Sequence, residues 1–330
     1  MLLIPGLIKR DLLAVEKKLG FYADKTESIL PGVKQFILNG GKRIRPSLLL
    51  LSYRLFKGMR ANGSHKQAIN TATIVELLHT ASLLHDDVLE GAGLRRGNKT
   101  LNAALGDKTA VLVGDLLSTF STSMVFETKN FEVLKAVSKA STLICEGEIQ
   151  DVVNSFNAGL KERQYLSLIK KKTAALFTAC SEIGGMIAEA SPRQIRAMRK
   201  YGFNLGVAFQ IVDDILDYTA DEKGFGKPVL ADLKEGKITL PIIYALKKAG
   251  RADRGKLFGI IQELKNKRAA NEAMMREVKT ILLKYDCLTS SYKSALKYVD
   301  KAKKSLKHLP DNEYKLALIE IASFVIKREY

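Results

Sequence analysis

Asp86, Asp87 and Glu90, in the run Asp86-Asp87-Val88-Leu89-Glu90, repeat the chemistry of Asp213, Asp214 and Asp217, in the run Asp213-Asp214-Ile215-Leu216-Asp217. On a helix, residues four apart share a face, so Asp86 and Glu90 point one way and Asp213 and Asp217 another pair's way. Such pairs repel unless a cation lies between them. Oxygen ligands at this density suit Mg²⁺, which keeps water and shares its coordination with substrate phosphates. Both clusters sit in apolar runs, Leu77 to Leu84 and Val207 to Leu216, where a merely solvated acidic face is out of place.

Basic residues are patterned around them. Gly40-Gly41-Lys42-Arg43-Ile44-Arg45-Pro46 sets a flexible turn before three cations, and Arg95-Arg96-Gly97 follows the first cluster closely. Lys172-Thr173, Lys227 and Lys237 add further donors. Arg offers a planar fork to phosphate oxygens and Lys a movable point charge, so the expected visitors are anions.

The elements that position these groups read as helices. Long stretches of 3.6 period, broken by short Gly, Asn or Pro punctuation and free of sustained period-2 alternation, predict an all-α chain. With 330 residues, 46% of them apolar, and only 7 Pro, the composition allows one large helical domain or two smaller ones. Gly58 to Ser64 is too short for an interdomain linker and reads as a loop between helices.

The segments GGKRIRP (40–46), ELLHTASLLHDDVLE (76–90), RRG (95–97), VGD (113–115), KTA (172–174), FQIVDDILDY (209–218), GKP (226–228) and EGKITLP (235–241) resemble the ordered motifs of the trans-polyprenyl diphosphate synthases. The resemblance runs from about residue 25 to the C-terminus and is greatest to the long-chain branch, the octaprenyl and heptaprenyl diphosphate synthases of bacteria. It implies a single polyprenyl synthetase domain over residues 1–330: an orthogonal helical bundle of the isoprenoid synthase type around a central cavity. It implies a prenyltransferase that joins isopentenyl diphosphate to an allylic diphosphate, farnesyl or geranylgeranyl, with Mg²⁺ as cofactor and a homodimer as the working form. The product is then a long-chain all-trans polyprenyl diphosphate, the precursor of a quinone side chain.

Site roles follow by the same resemblance. Asp86, Asp87, Asp213, Asp214 and Lys172 form the catalytic set, with Asp86, Glu90, Asp213 and Asp217 as metal ligands. Lys42, Arg45, His79 and Arg96 hold isopentenyl diphosphate, a cationic site without Mg²⁺ that keeps this substrate intact. Arg95, Lys172, Thr173, Gln210, Lys227 and Lys237 grip the allylic diphosphate. His85, beside the carboxylates, is left as a structural or supporting residue.

Product length should be written on the helix of Asp86. The growing chain runs away from the metal past Ser82 and Ala81, both small, whereas short-product synthases of this family place aromatics there. Met124, Val125 and Phe126 are candidate floor residues of the path. Glu90 stands where the family has Asp, and Gly91 and Gly93 replace acidic residues that often follow. A shorter-chain synthase and a noncatalytic subunit of a heterodimeric synthase therefore stay open beside the long-chain reading. A terpene cyclase fits less well, since its second metal motif mixes Asn, Ser and Glu.

Residues 246–330 carry 20 basic against 10 acidic residues within a net charge of +18. No aromatic interleaving or base-reading motif accompanies that charge, so nucleic acid is not an expected partner; at most a peripheral contact with an anionic membrane follows. Cys145, Cys180 and Cys287 are odd in number and widely spaced, which suits free thiols in a reducing cytoplasm. Met1 to Ile8 is apolar but short and is ended by Lys9, Arg10 and Asp11, so neither a membrane span nor a secretory core is expected there.

Overall fold

The computed structural model describes residues 4–39, 41–59, 63–95, 97–219, 230–266 and 271–327. Its helices are α1 (Ile4–Leu7), α2 (Lys9–Glu27), α3 (Lys34–Leu38), α4 (Ile44–Lys57) and α5 (Gly63–Leu89). A short hairpin, β1 (Leu94–Arg95) with β2 (Asn98–Lys99), comes next, then α6 (Leu101–Leu105), α7 (Asp107–Glu127) and α8 (Phe131–Val153). After α9 (Glu162–Ile169) the chain makes a π-helical turn, Lys170–Ala174, before α10 (Ala175–Ile187) and α11 (Pro192–Thr219). Then follow α12 (Ala231–Lys234), α13 (Leu240–Lys248), α14 (Arg251–Lys265), α15 (Glu272–Lys284), α16 (Cys287–Ser305) and α17 (Glu313–Lys327).

Sequence fixes several of these boundaries. Ser191 and Gln194 form a reciprocal capping box ahead of α11, whose first residue is Pro192. Asn271 caps α15 by accepting from the Met274 N–H at 2.9 Å. Helix α5 stops at a Schellman turn: Gly91 has φ +61°, and the N–H groups of Ala92 and Gly91 donate back to the carbonyls of Asp87 (2.8 Å) and Val88 (3.1 Å).

Two compact units result. The first comprises Met1–Thr142, Leu176–Phe203 and Ala302–Ala322; the second comprises Leu143–Ala175, Asn204–Lys301 and Ser323–Tyr330.

In the first unit α4 is buried from Pro46 through Leu55 and lies against α5, which also packs on α2 and α7. Close packing there depends on glycine. A Cβ on Gly184 would fall 2.4 Å from the Leu49 carbonyl oxygen, and one on Gly202 would fall 2.4 Å from that of Phe177. Arg54 of α4 donates to both oxygens of Asp11 of α2 at 2.8 Å, a buried ion pair that ties the two helices. Among the described helices α7 is long and apolar enough to cross a membrane, but its Ala110, Val113, Gly114, Leu117, Ser121, Met124 and Val125 are buried in this unit, and α5 is its main neighbour.

In the second unit the end of α11 lies beside α12, whose Ala231 N–H donates to Asp217 at 3.0 Å. The Phe156 N–H donates to the Gly236 carbonyl at 2.7 Å, and a Cβ on Gly236 would meet the Phe156 ring at 2.7 Å.

Candidate active site

In the first unit Asp86 and Asp87 lie in the last turn of α5, and Glu90 follows the helix directly. Asp87 is buried and accepts from Arg95 Nε at 2.6 Å; Glu90 Oε2 lies 3.8 Å from another nitrogen of the same guanidinium. The hairpin that carries Arg95 thus folds back on the acidic cluster. Asn102 donates from its amide to the Asp87 and Ala92 carbonyls, which pins α6 under that hairpin. Gly114 lets α7 come close: its missing Cβ would sit 2.3 Å from His85 Nε2, which lies 3.1 Å from the Val111 carbonyl. His85 therefore docks α5 on α7.

The structure brings Arg45 and His79 together, with Arg45 Nη1 and His79 Nε2 2.8 Å apart and the guanidinium over the Phe177 ring at 5.1 Å. Lys42 lies exposed just before α4. Arg43, the cation between them in sequence, points elsewhere. It bonds Glu16 of α2 at 2.6 Å and Glu76 of α5 at 2.7 Å. Burial opposes its charge, but the Glu16 hydrogen bonds and the charge of Glu76 outweigh that and raise its pKa. Arg96 lies outside the described residues.

In the second unit Lys172 and Thr173 stand on the π-turn. Such turns widen a helix locally and recur at functional positions. A Cβ on Gly147 would fall 2.5 Å from the Lys172 backbone nitrogen, so the turn rests directly on α8. There the Lys172 ammonium meets Glu148 at 2.7 Å and Asp151 at 2.9 Å. Thr173 donates to Gln210 Oε1 at 2.5 Å, and Gln210 Nε2 donates to Asp214 Oδ1 at 2.7 Å. The other Asp214 oxygen accepts from the Tyr165 hydroxyl at 2.5 Å. Asp217 accepts from the N–H groups of Ala231 (3.0 Å) and Asp232 (3.3 Å) and so caps α12. Asp213 is half-buried on the same helix. Lys237 reaches Glu235 at 2.7 Å and Asp232 at 3.7 Å, and Lys227 lies outside the described residues.

These carboxylates are crowded. Burial, and then the charge of Asp232, push the Asp217 carboxyl up to about 8 and that of Asp214 well above its ordinary value. Burial and the nearby Asp214 likewise raise the Tyr165 phenol. Among the described residues no three His, Cys, Asp or Glu side chains converge to close a metal cage by themselves. An all-oxygen set of repelling carboxylates nevertheless fits a hard divalent cation that completes its shell with water and diphosphate oxygens.

Ala81 is buried and Ser82 half-buried, Ser82 donating to the His79 carbonyl at 2.9 Å. Met124 and Val125 are buried, while Phe126 is 64% exposed. Sequence reasoning passed over Tyr165, Glu148, Asp151 and the π-turn. Gly91 did carry a signal, because a glycine just past an apolar helix marks a helix end.

Residues 27–278 match the polyprenyl synthetase family. The octaprenyl diphosphate synthase of Haemophilus influenzae is 37% identical over 294 residues, covering 89% of this chain and 86% of that one. A short chain isoprenyl diphosphate synthase of Methanothermobacter thermautotrophicus is 35% identical over 308 residues, covering 92% and 91%. A polyprenyl synthase of Caulobacter crescentus, solved with calcium and isoprenyl diphosphate, superposes with a TM-score of 0.89 at 33% identity, covering 98% of this chain and 97% of that one. The fold is the all-α isoprenoid synthase type that the motifs implied.

Proposed function

Since the chain belongs to the polyprenyl synthetase family and is a prenyl-transferring enzyme, we propose that it condenses isopentenyl diphosphate with farnesyl or geranylgeranyl diphosphate in a Mg²⁺-dependent reaction. The product is a long-chain all-trans polyprenyl diphosphate serving as a quinone side-chain precursor. The working form is a homodimer of single-domain chains in the cytoplasm, with at most peripheral membrane contact.

The observation that carries the metal reading is the gathering of Asp213, Asp214 and Asp217 at the end of α11, where burial, and then the charge of Asp232, push Asp217 up to about 8 and a divalent cation would offset both. Asp86, Glu90, Asp213 and Asp217 would hold Mg²⁺, which when bound neutralises the charge that develops on a departing diphosphate. Lys172, Thr173, Gln210, Arg95, Lys227 and Lys237 orient the allylic diphosphate. Lys172 must exchange Glu148 and Asp151 for phosphate oxygens as substrate enters, so those carboxylates hold it ready rather than consume it. Lys42, Arg45, His79 and Arg96 keep isopentenyl diphosphate fixed while its C3–C4 double bond attacks the allylic cation. The proton then lost goes to the departed diphosphate, by family analogy, so no side-chain base is needed.

Ala81 and Ser82 support the long-chain reading, because small side chains one turn before Asp86 leave a path for the growing chain. The likeness to a short chain synthase supports a shorter product as the second reading. One experiment tests both: incubation with isopentenyl diphosphate, farnesyl diphosphate and Mg²⁺, then chromatography of the dephosphorylated alcohols. Products of about forty carbons support the first reading and products of about twenty the second. No transfer at all defeats both and leaves the noncatalytic subunit.

A further inference from the structure

Tyr165 is absent from every motif that drew attention to this site, yet it holds the most enclosed carboxylate in the second cluster. It lies on α9, ahead of the π-turn, and is 3% exposed. Its hydroxyl donates to Asp214 Oδ2 at 2.5 Å. Its opposite oxygen meets the neighbouring amide: Gln210 turns its NH₂ toward Asp214, Nε2 donating to Oδ1 at 2.7 Å. The amide oxygen then faces Thr173, whose hydroxyl donates to it at 2.5 Å. Each orientation in this chain is set by the one before it, and the buried phenol stands at its closed end.

Neutral donors also suit the place. A guanidinium at Asp214 would bring a positive charge into the cluster, whereas a phenol and an amide fix the carboxyl group without adding one.

We propose that Tyr165 is a positioning residue for the allylic diphosphate site, acting through Asp214 and Gln210 on Thr173. The inference rests on the prenyl-transfer reading above. Without the phenol, Asp214 loses a donor while its acidic neighbours still repel it. Gln210 is then free to turn, and Thr173 with it.

The test is Tyr165→Phe, with retained helix content checked by circular dichroism. Calorimetry measures binding of a non-ionising thio analogue of farnesyl diphosphate with Mg²⁺, and steady-state kinetics gives KM for each substrate. Analogue binding should weaken about tenfold, as for loss of one buried hydrogen bond. The allylic KM should rise in parallel, with KM for isopentenyl diphosphate unchanged. Equal weakening of both substrates, or none, overturns the proposal. An inactive parent chain that still binds the analogue would instead defeat the prenyl-transfer reading. Should Tyr165→Phe not fold, Thr173→Val, Gln210→Met and their double variant carry the test. Losses of analogue affinity that do not add are expected from one connected chain, and additive losses overturn it.

Discussion

The two acidic clusters share a sequence pattern but are built in opposite ways. The first ends its helix: Gly91 stops α5 one residue after Glu90, and Arg95 returns on the hairpin to meet Asp87 at 2.6 Å. The second lies within α11, where Asp214 and Asp217 are buried and held by a phenol, an amide and backbone N–H groups. In the second cluster burial, and then the charge of Asp232, outweigh those backbone donors, so Asp217 rises to about 8. The first cluster is therefore paired with a cation of the chain itself, while the second is held by neutral donors in a buried, acidic neighbourhood that raises Asp214 and Asp217.

The sharpest way to break that contrast is to remove one carboxylate from each cluster. Asp213→Ala should lower turnover about a thousandfold, the scale for losing a group that stabilises developing charge. Glu90→Ala should lose less, because Asp86 remains. Glu90→Asp should stay within about tenfold of the parent, since the carboxylate survives and only its reach changes. Turnover measured against Mg²⁺ concentration decides the order. If Glu90→Ala keeps parental activity and Mg²⁺ dependence, residue 90 is no ligand.

Product length should depend on the helix of the first cluster. Ala81→Phe places a ring five residues before Asp86, about 7.5 Å along the helix, and should shorten the product to about twenty carbons or fewer with turnover still measurable. An unchanged set of chromatographed alcohols would rule out a path along α5.

The pH response belongs to the second cluster. Because the folded-state pKa of Asp217 lies above its ordinary 3.8, the folded chain holds more protons than the unfolded chain between about 4 and 8, so stability falls as pH rises through that window. Tm without divalent ions should decline from pH 5 to 8.5, and Asp217→Asn should flatten that slope. A parental slope in Asp217→Asn would assign the effect to other groups.

The smallest expected effect is at the helix stop. Gly91→Ala forces a Cβ into φ +61° and should cost about 1 kcal/mol in chemical denaturation. An unchanged midpoint would mean that the turn relaxes freely.

Helical periodicity made the all-α fold legible, and the (i, i+4) spacing put Asp86 with Glu90 and Asp213 with Asp217. Arg45 and His79, far apart in sequence, do meet. Arg43 could not be told from its neighbours by residue type alone. Its backbone is left-handed, φ 46°, which turns the side chain toward Glu16 and Glu76. From sequence Gly91 reads as a missing carboxylate; in the fold it is the end of a helix. Tyr165 and the Lys172 partners Glu148 and Asp151 were illegible because contacts between separate helices leave no periodic trace along the chain. The π-turn leaves none either, since one extra residue in a helical turn only shifts the phase of the pattern.

The central claim, that the acidic clusters serve a cation-dependent prenyl transfer, is tested most directly by product formation from isopentenyl and farnesyl diphosphates as Mg²⁺ is titrated into metal-stripped protein. The account predicts no elongated product without Mg²⁺, a saturable rise with it, and a thousandfold lower plateau in Asp213→Ala. Elongated product that persists undiminished in excess chelator would contradict it.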